Sequence, residues 1–92
     1  MKQKLHRLTI EDVIEIVSEY QVIHINTPCD YNGICFGDAR VIFIDRELES
    51  RERIKTVIHE LYHARHFIHR ESNSERQVRS ETDRTMGELY DK

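Results

Sequence analysis

The chain has 92 residues, enough for one small domain and too few for a second core of useful size. Charged residues make up 34% against 38% hydrophobic, and 17 Asp and Glu outweigh 14 Lys and Arg, which argues against a phosphate-neutralising nucleic-acid binder and a polybasic membrane-surface protein. The apolar runs are far shorter than the roughly 20 residues of a membrane span, and no apolar stretch follows the basic start Met1–Arg7, so the expectation is a soluble, cytoplasmic, single domain over residues 1–92.

Thr9 to Tyr20 reads as the first helix. Ile10, Val13, Ile14 and Val17 fall at helical spacing, and Thr9 with Asp12 forms an N-cap pair. Residues 21–26 are β-branched and read as a strand, followed by a loop with Pro28, Asp30, Asn32 and Gly33. Ile34-Cys35-Phe36 and Arg40 to Asp45 read as a hairpin turning near Gly37-Asp38. From Ser50, a candidate N-cap, to about His69 the pattern is helical again. Its apolar stripe is Ile54, Val57, Ile58, Leu61, Ala64 and Ile68. Ser74 to Gln77 is a capping box that opens a last helix to about Leu89, with Val78, Thr82, Thr85, Met86 and Leu89 as its stripe. The expected fold class is α+β: a helix, a small three-stranded sheet, and two antiparallel C-terminal helices.

His59-Glu60-Leu61-Tyr62-His63 is an HExxH motif inside the second predicted helix. Residues four apart share a helical face, so both imidazoles can reach one metal ion. Glu60 lies about 100° round the helix, placed to act on a water rather than to ligate. The flanking residues Val57, Ile58, Leu61, Tyr62 and Ala64 are uncharged, as a half-buried active-site helix requires.

A hydrolytic zinc site needs a third protein ligand and an open position. His69 would complete HExxHxxHxxH, a pattern close to the metzincin one, but His66 stands where the turn-making Gly belongs. The other candidates are glutamates of the last helix. In an antiparallel hairpin folded symmetrically about residues 71–74, His63 is level with about position 82, which favours Glu81. Glu75 lies nearer the turn and Glu88 beyond the site.

HExxH followed by a glutamate on the next helix resembles the gluzincin metallopeptidases. His59–Ala64 is similar to the HELGHA-type stretch of ImmA/IrrE-like peptidases, and Glu81–Met86 resembles their EADRFA-type stretch. The likeness covers about residues 22–90 and departs at Arg79, where many gluzincins carry a Glu four residues before an Asp or Asn. The resemblance implies a minimal zincin core, one zinc held by His59, His63 and Glu81, Glu60 as general base, and Asp83 as a supporting residue. It also implies a specific protein or peptide substrate, such as a separate repressor protein, while the charge balance and short apolar runs leave no nucleic acid or membrane partner expected. Some minimal gluzincins are held latent by their own termini, so a zymogen-like state is a further expectation. The competing expectation is a catalytically silent module that keeps zinc for stability.

Tyr62, Tyr90, His66 and Arg84 are the candidates for an oxyanion donor. The resemblance implies that residues 41–44 line the cleft and pair with substrate backbone. Cys29 and Cys35 are read as free thiols by default in a reducing compartment. A Cys or an acidic side chain at the open zinc position is another route to latency. His6, His24 and the run Arg46 to Arg53 read as solvated surface.

Overall fold

The computed structural model describes residues 7–28, 31–70 and 74–90. Six elements follow one another: α1 (Ile10–Glu19), β1 (Gln21–Ile25), β2 (Gly33–Phe36), β3 (Val41–Asp45), α2 (Ser50–His69) and α3 (Glu75–Tyr90). The class is α+β, as the sequence predicts. His6 and Cys29 lie outside the described residues.

Thr9 and Asp12 make a complete capping box on α1. The Asp12 N–H donates to Thr9 Oγ1 at 3.1 Å, and the Thr9 N–H donates to the Asp12 carboxylate at 2.9 Å. Only part of the stripe that the spacing singles out packs: Val13 is partly buried against the core. Ile16 and Tyr20 are buried, whereas Ile10, Ile14 and Val17 are 76%, 61% and 52% exposed. The reason is electrostatic. Asp12 must turn inward to meet Arg65, and a residue four positions on, Ile16, turns in with it.

The sheet order is β1-β3-β2. β1 pairs in parallel with β3, Gln21 opposite Val41 through Ile25 opposite Asp45. β2 pairs antiparallel with β3, Gly33 opposite Ile44 through Phe36 opposite Val41. Residues 37–40 form the hairpin turn, and its left-handed position falls on Arg40 (φ 57°) rather than on Gly37. This order corrects one expectation. β3 is the central strand with both edges paired, so it has no edge left for a substrate. The edge strand on the side of the HExxH helix is β2.

α2 packs Leu61 and Ala64 onto Ile42 and Ile44 of the sheet and onto Ile16 and Tyr20. Its other side carries Ile58 and Tyr62 against Val78 and Met86 of α3. The helix is capped at Glu49 without a side-chain hydrogen bond, so Ser50 is its first residue rather than its cap. It ends at Arg70, which takes the left-handed conformation and donates its N–H to the His66 carbonyl at 2.7 Å. Tyr62, between the two motif histidines, is fully buried. Its hydroxyl accepts from the Leu8 N–H at 3.0 Å and lies 3.1 Å from Thr85 Oγ1.

Arg65 is the least usual core residue. It is 0% exposed, and its Nη1 donates to Asp12 Oδ2 at 2.7 Å and to the Arg7 carbonyl at 3.1 Å. Burial raises the Asp12 carboxyl, but the Thr9 N–H and the Arg65 guanidinium outweigh it and leave it below the usual value. Truncating one partner of such a pair strands the other charge. Arg65→Ala is therefore expected to cost about 3 kcal/mol or more in urea unfolding, against less than about 0.5 kcal/mol for the exposed Arg84→Ala. Because the folded Asp12 pKa is depressed, its contribution is present above the unfolded value of about 3.9 and is lost as pH falls through the folded value. Asp12→Asn should flatten the acid limb of the stability curve below about pH 4.

Candidate metal centre

His59 and His63 lie one turn apart on α2 and point the same way, with Nε2 atoms 3.2 Å apart. Two donors bound to one tetrahedral zinc at about 2.0–2.1 Å stand about 3.3 Å from each other, so this spacing matches. A carboxylate completes the triangle, and it belongs to Glu75. Its Oε1 is 2.7 Å from His59 Nε2 and its Oε2 is 3.1 Å from His63 Nε2. The three ligand atoms lie within 4.8 Å of one another. Two imidazoles and one carboxylate are a donor set that suits zinc.

Glu81, the favoured third ligand, is not brought to the histidines. Its carboxylate stands 3.7 Å from Arg84 Nη1, on another face of α3. The cause is register and helical geometry. The α2–α3 pairing matches Lys55 with Asp83 and His59 with Glu75, so α3 begins already level with the HExxH turn. A symmetric fold about residues 71–74 places α3 too far along. Six residues at about 100° each then turn Glu81 roughly 120° away from Glu75. Asp83 pairs with Lys55 at 3.7 Å rather than with a motif histidine. His69 faces α1 rather than the cleft and contacts Glu15 at 2.5 Å.

The cleft over this triangle has a volume of about 440 Å³ and is lined by His59, Glu60, His63, Glu75, Arg79 and Tyr31, with β2 and Phe67 along its wall. Glu60 is 7% exposed and sits against β2. Gly33 makes that approach feasible. A Cβ there would lie 2.7 Å from Thr56 Cγ2, 3.2 Å from Glu60 Cγ and 3.2 Å from the Phe43 carbonyl. Burial pushes the Glu60 carboxyl up to about 7, with His63 pulling it down and Glu75 pushing it further up. Burial likewise lowers the His59 pKa, which keeps its imidazole neutral and free to donate a lone pair. Cys35, a free thiol in the cleft wall, is raised to about 12 by burial and by Glu60, so it is a protonated apolar neighbour rather than a nucleophile.

Of the expected oxyanion donors, none lines the cleft. Tyr62 is committed to Leu8 and Thr85, Tyr90 stacks under Arg51, Arg84 faces Glu81, and His66 packs beside Phe67. Sequence reasoning passed over Arg79, which does line the cleft. Its signal was available, since it lies four residues after Glu75 and so on the same helical face. No helix among the described residues is long and apolar enough to cross a membrane. No family model, curated protein or solved structure matches this chain.

The Glu60 environment has a measurable cost once divalent cations are removed with a chelator. Its folded pKa of about 7 lies above its ordinary 4.5, so the folded chain keeps a proton that the unfolded chain releases. Stability should therefore fall as pH rises from about 4.5 to above 7. Glu60→Gln should stabilise the chelated protein at pH 8 by roughly 1–3 kcal/mol, seen as a higher thermal midpoint, and leave it nearly unchanged at pH 4. Gly33→Ala, by contrast, should destabilise the protein at every pH, because its Cβ meets both α2 and the β3 backbone.

Proposed function

We propose that the chain is a small zinc metallopeptidase of gluzincin type that hydrolyses a peptide bond in a protein or peptide substrate. The observation that carries this reading is the convergence of His59 Nε2, His63 Nε2 and the Glu75 carboxylate beside a buried glutamate that a structural metal site does not need.

His59, His63 and Glu75 would hold the cation. A zinc ion bound there supplies Lewis-acid chemistry, polarising a carbonyl and acidifying a water. Glu60 does the proton work. Its carboxylate, buried in the cleft wall, can accept a proton from water at a carboxylate oxygen and release it to the departing amine nitrogen. The backbone of β2 offers an edge without a strand partner among the described residues, beside Gly33 and Cys35 in the cleft wall. An extended peptide laid along that edge would run in the cleft that Glu60 lines. Tyr31 and Phe67 give the cleft two apolar surfaces for side chains of the substrate.

Metal analysis of the purified protein tests the site. We expect one zinc per chain in wild type and in Glu81→Ala. Glu75→Ala should weaken binding by more than the roughly 10- to 100-fold that losing a merely supporting residue costs. The reverse pattern would transfer the third ligand to Glu81. For activity, zinc-loaded wild type and Glu60→Gln should be incubated with a complex peptide pool and the products read by mass spectrometry. New termini are expected with wild type and none with Glu60→Gln, although that variant keeps its zinc. Zinc bound in both with no cleavage by either would leave a metal-stabilised interaction module.

A further inference from the structure

Arg79 is the one guanidinium or ammonium group, among the described residues, that lines the cleft over His59, His63 and Glu75. It lies one turn after Glu75 on α3, and its Nε stands 3.7 Å from Glu75 Oε1. That is a loose contact, and 73% of its side chain is exposed. The Glu75 oxygens are instead turned to the two imidazoles, at 2.7 and 3.1 Å. Arg79 thus stands at the rim of the cleft with its donors largely open.

Electrostatics says what such a group is suited to. A fixed cation beside a divalent cation is repelled unless an anion lies between them. Glu75 and Glu60 together bring two negative charges at most, against two positive charges on a divalent ion and one on Arg79. The cleft therefore stays net positive when a divalent ion is present. An arriving anion is what balances it. A guanidinium presents paired N–H donors in a planar fork that fits a carboxylate, where an ammonium would act only as a point charge.

We propose that Arg79 binds a carboxylate of the substrate, so that the cleft selects peptides with an acidic group close to the bond to be broken. This rests on the metallopeptidase reading of the same site. The carboxylate has two sources, an Asp or Glu side chain or the free C-terminus of a peptide. The apolar surfaces of Tyr31 and Phe67 flank the same cleft, so the preferred segment pairs an acidic group with a bulky apolar one.

The test is a binding measurement on zinc-loaded full-length protein with three short peptide hydroxamates. One carries Gln and a C-terminal amide, the second replaces Gln by Glu, and the third replaces the amide by a free acid. Titration calorimetry gives the dissociation constants. We expect the neutral probe to bind wild type and Arg79→Gln alike. One carboxylate probe should bind wild type about five- to tenfold more tightly than the neutral probe. That gain should vanish in Arg79→Gln, persist in part in Arg79→Lys, and shrink as salt is raised. Which probe gains identifies the source of the carboxylate. Neutral binding with no gain from either carboxylate overturns the Arg79 assignment alone. So does an equal loss of all three probes in Arg79→Gln, because Arg79 would then serve the metal-binding end of the ligand. Failure of the neutral probe to bind wild type overturns the metallopeptidase reading itself. Thermal melts of both variants establish that they are folded.

Discussion

The orientation of α2 depends on an ion pair behind the candidate site. Arg65 is two residues beyond His63, so at about 100° per residue it projects from nearly the opposite side of the helix. There it is fully buried and held by Asp12 and the Arg7 carbonyl. A charge without exposure tolerates little displacement, because every shift of its partners leaves desolvated donors unmet. Rotation of α2 about its own axis is therefore tightly limited. With that rotation set, His59 and His63 face outward on one side, Tyr62 faces α3, and Leu61 and Ala64 face the sheet. The same pair decides which face of α1 is inward, at the expense of most of the helix's own apolar ridge.

The secondary structure was largely legible because each element carries its own local signal. The Thr9–Asp12 box marks the start of α1, alternation and β-branching mark the strands, and the long period-3.6 stripe from Ile54 to Ile68 marks α2. What local signals do not contain is order in space. Residues 41–44 read equally well as an edge or a central strand. Only the parallel docking of β1 makes β3 central and leaves β2 beside the cleft. The exposed Ile10, Ile14 and Val17 were misleading for a similar reason. Periodicity reports where apolar residues recur, whereas the buried partner of Asp12 lies 53 positions away in sequence.

The site shows the same division. His59, Glu60 and His63 are a fixed pattern on one helix, so their common face follows from spacing alone. The third carboxylate comes from another helix, and its identity depends on how two helices slide past one another. A shift of one or two turns exchanges Glu81 for Glu75, and nothing in the residues of either helix announces the shift. Gly33 was illegible for a related reason, and the i, i+4 spacing of Arg79 from Glu75 gains its meaning only once Glu75 is the ligand. Gly33 looks like ordinary loop glycine until β2 is laid against Glu60, and Arg79 looks like a solvated helix charge until Glu75 is turned toward the imidazoles.

Glu75 is also the first residue of α3. Helix ends are the places where secondary structure opens first, because their terminal backbone groups lack partners within the helix. On the metallopeptidase reading, the ligand that binds the cation is thus the very residue from which α3 would begin to unwind. Loading the site would clamp that end, and emptying it would release the end. The occupancy of the cleft is then written into amide exchange along the opening turn of α3, far more than into the sheet or the middle of α2.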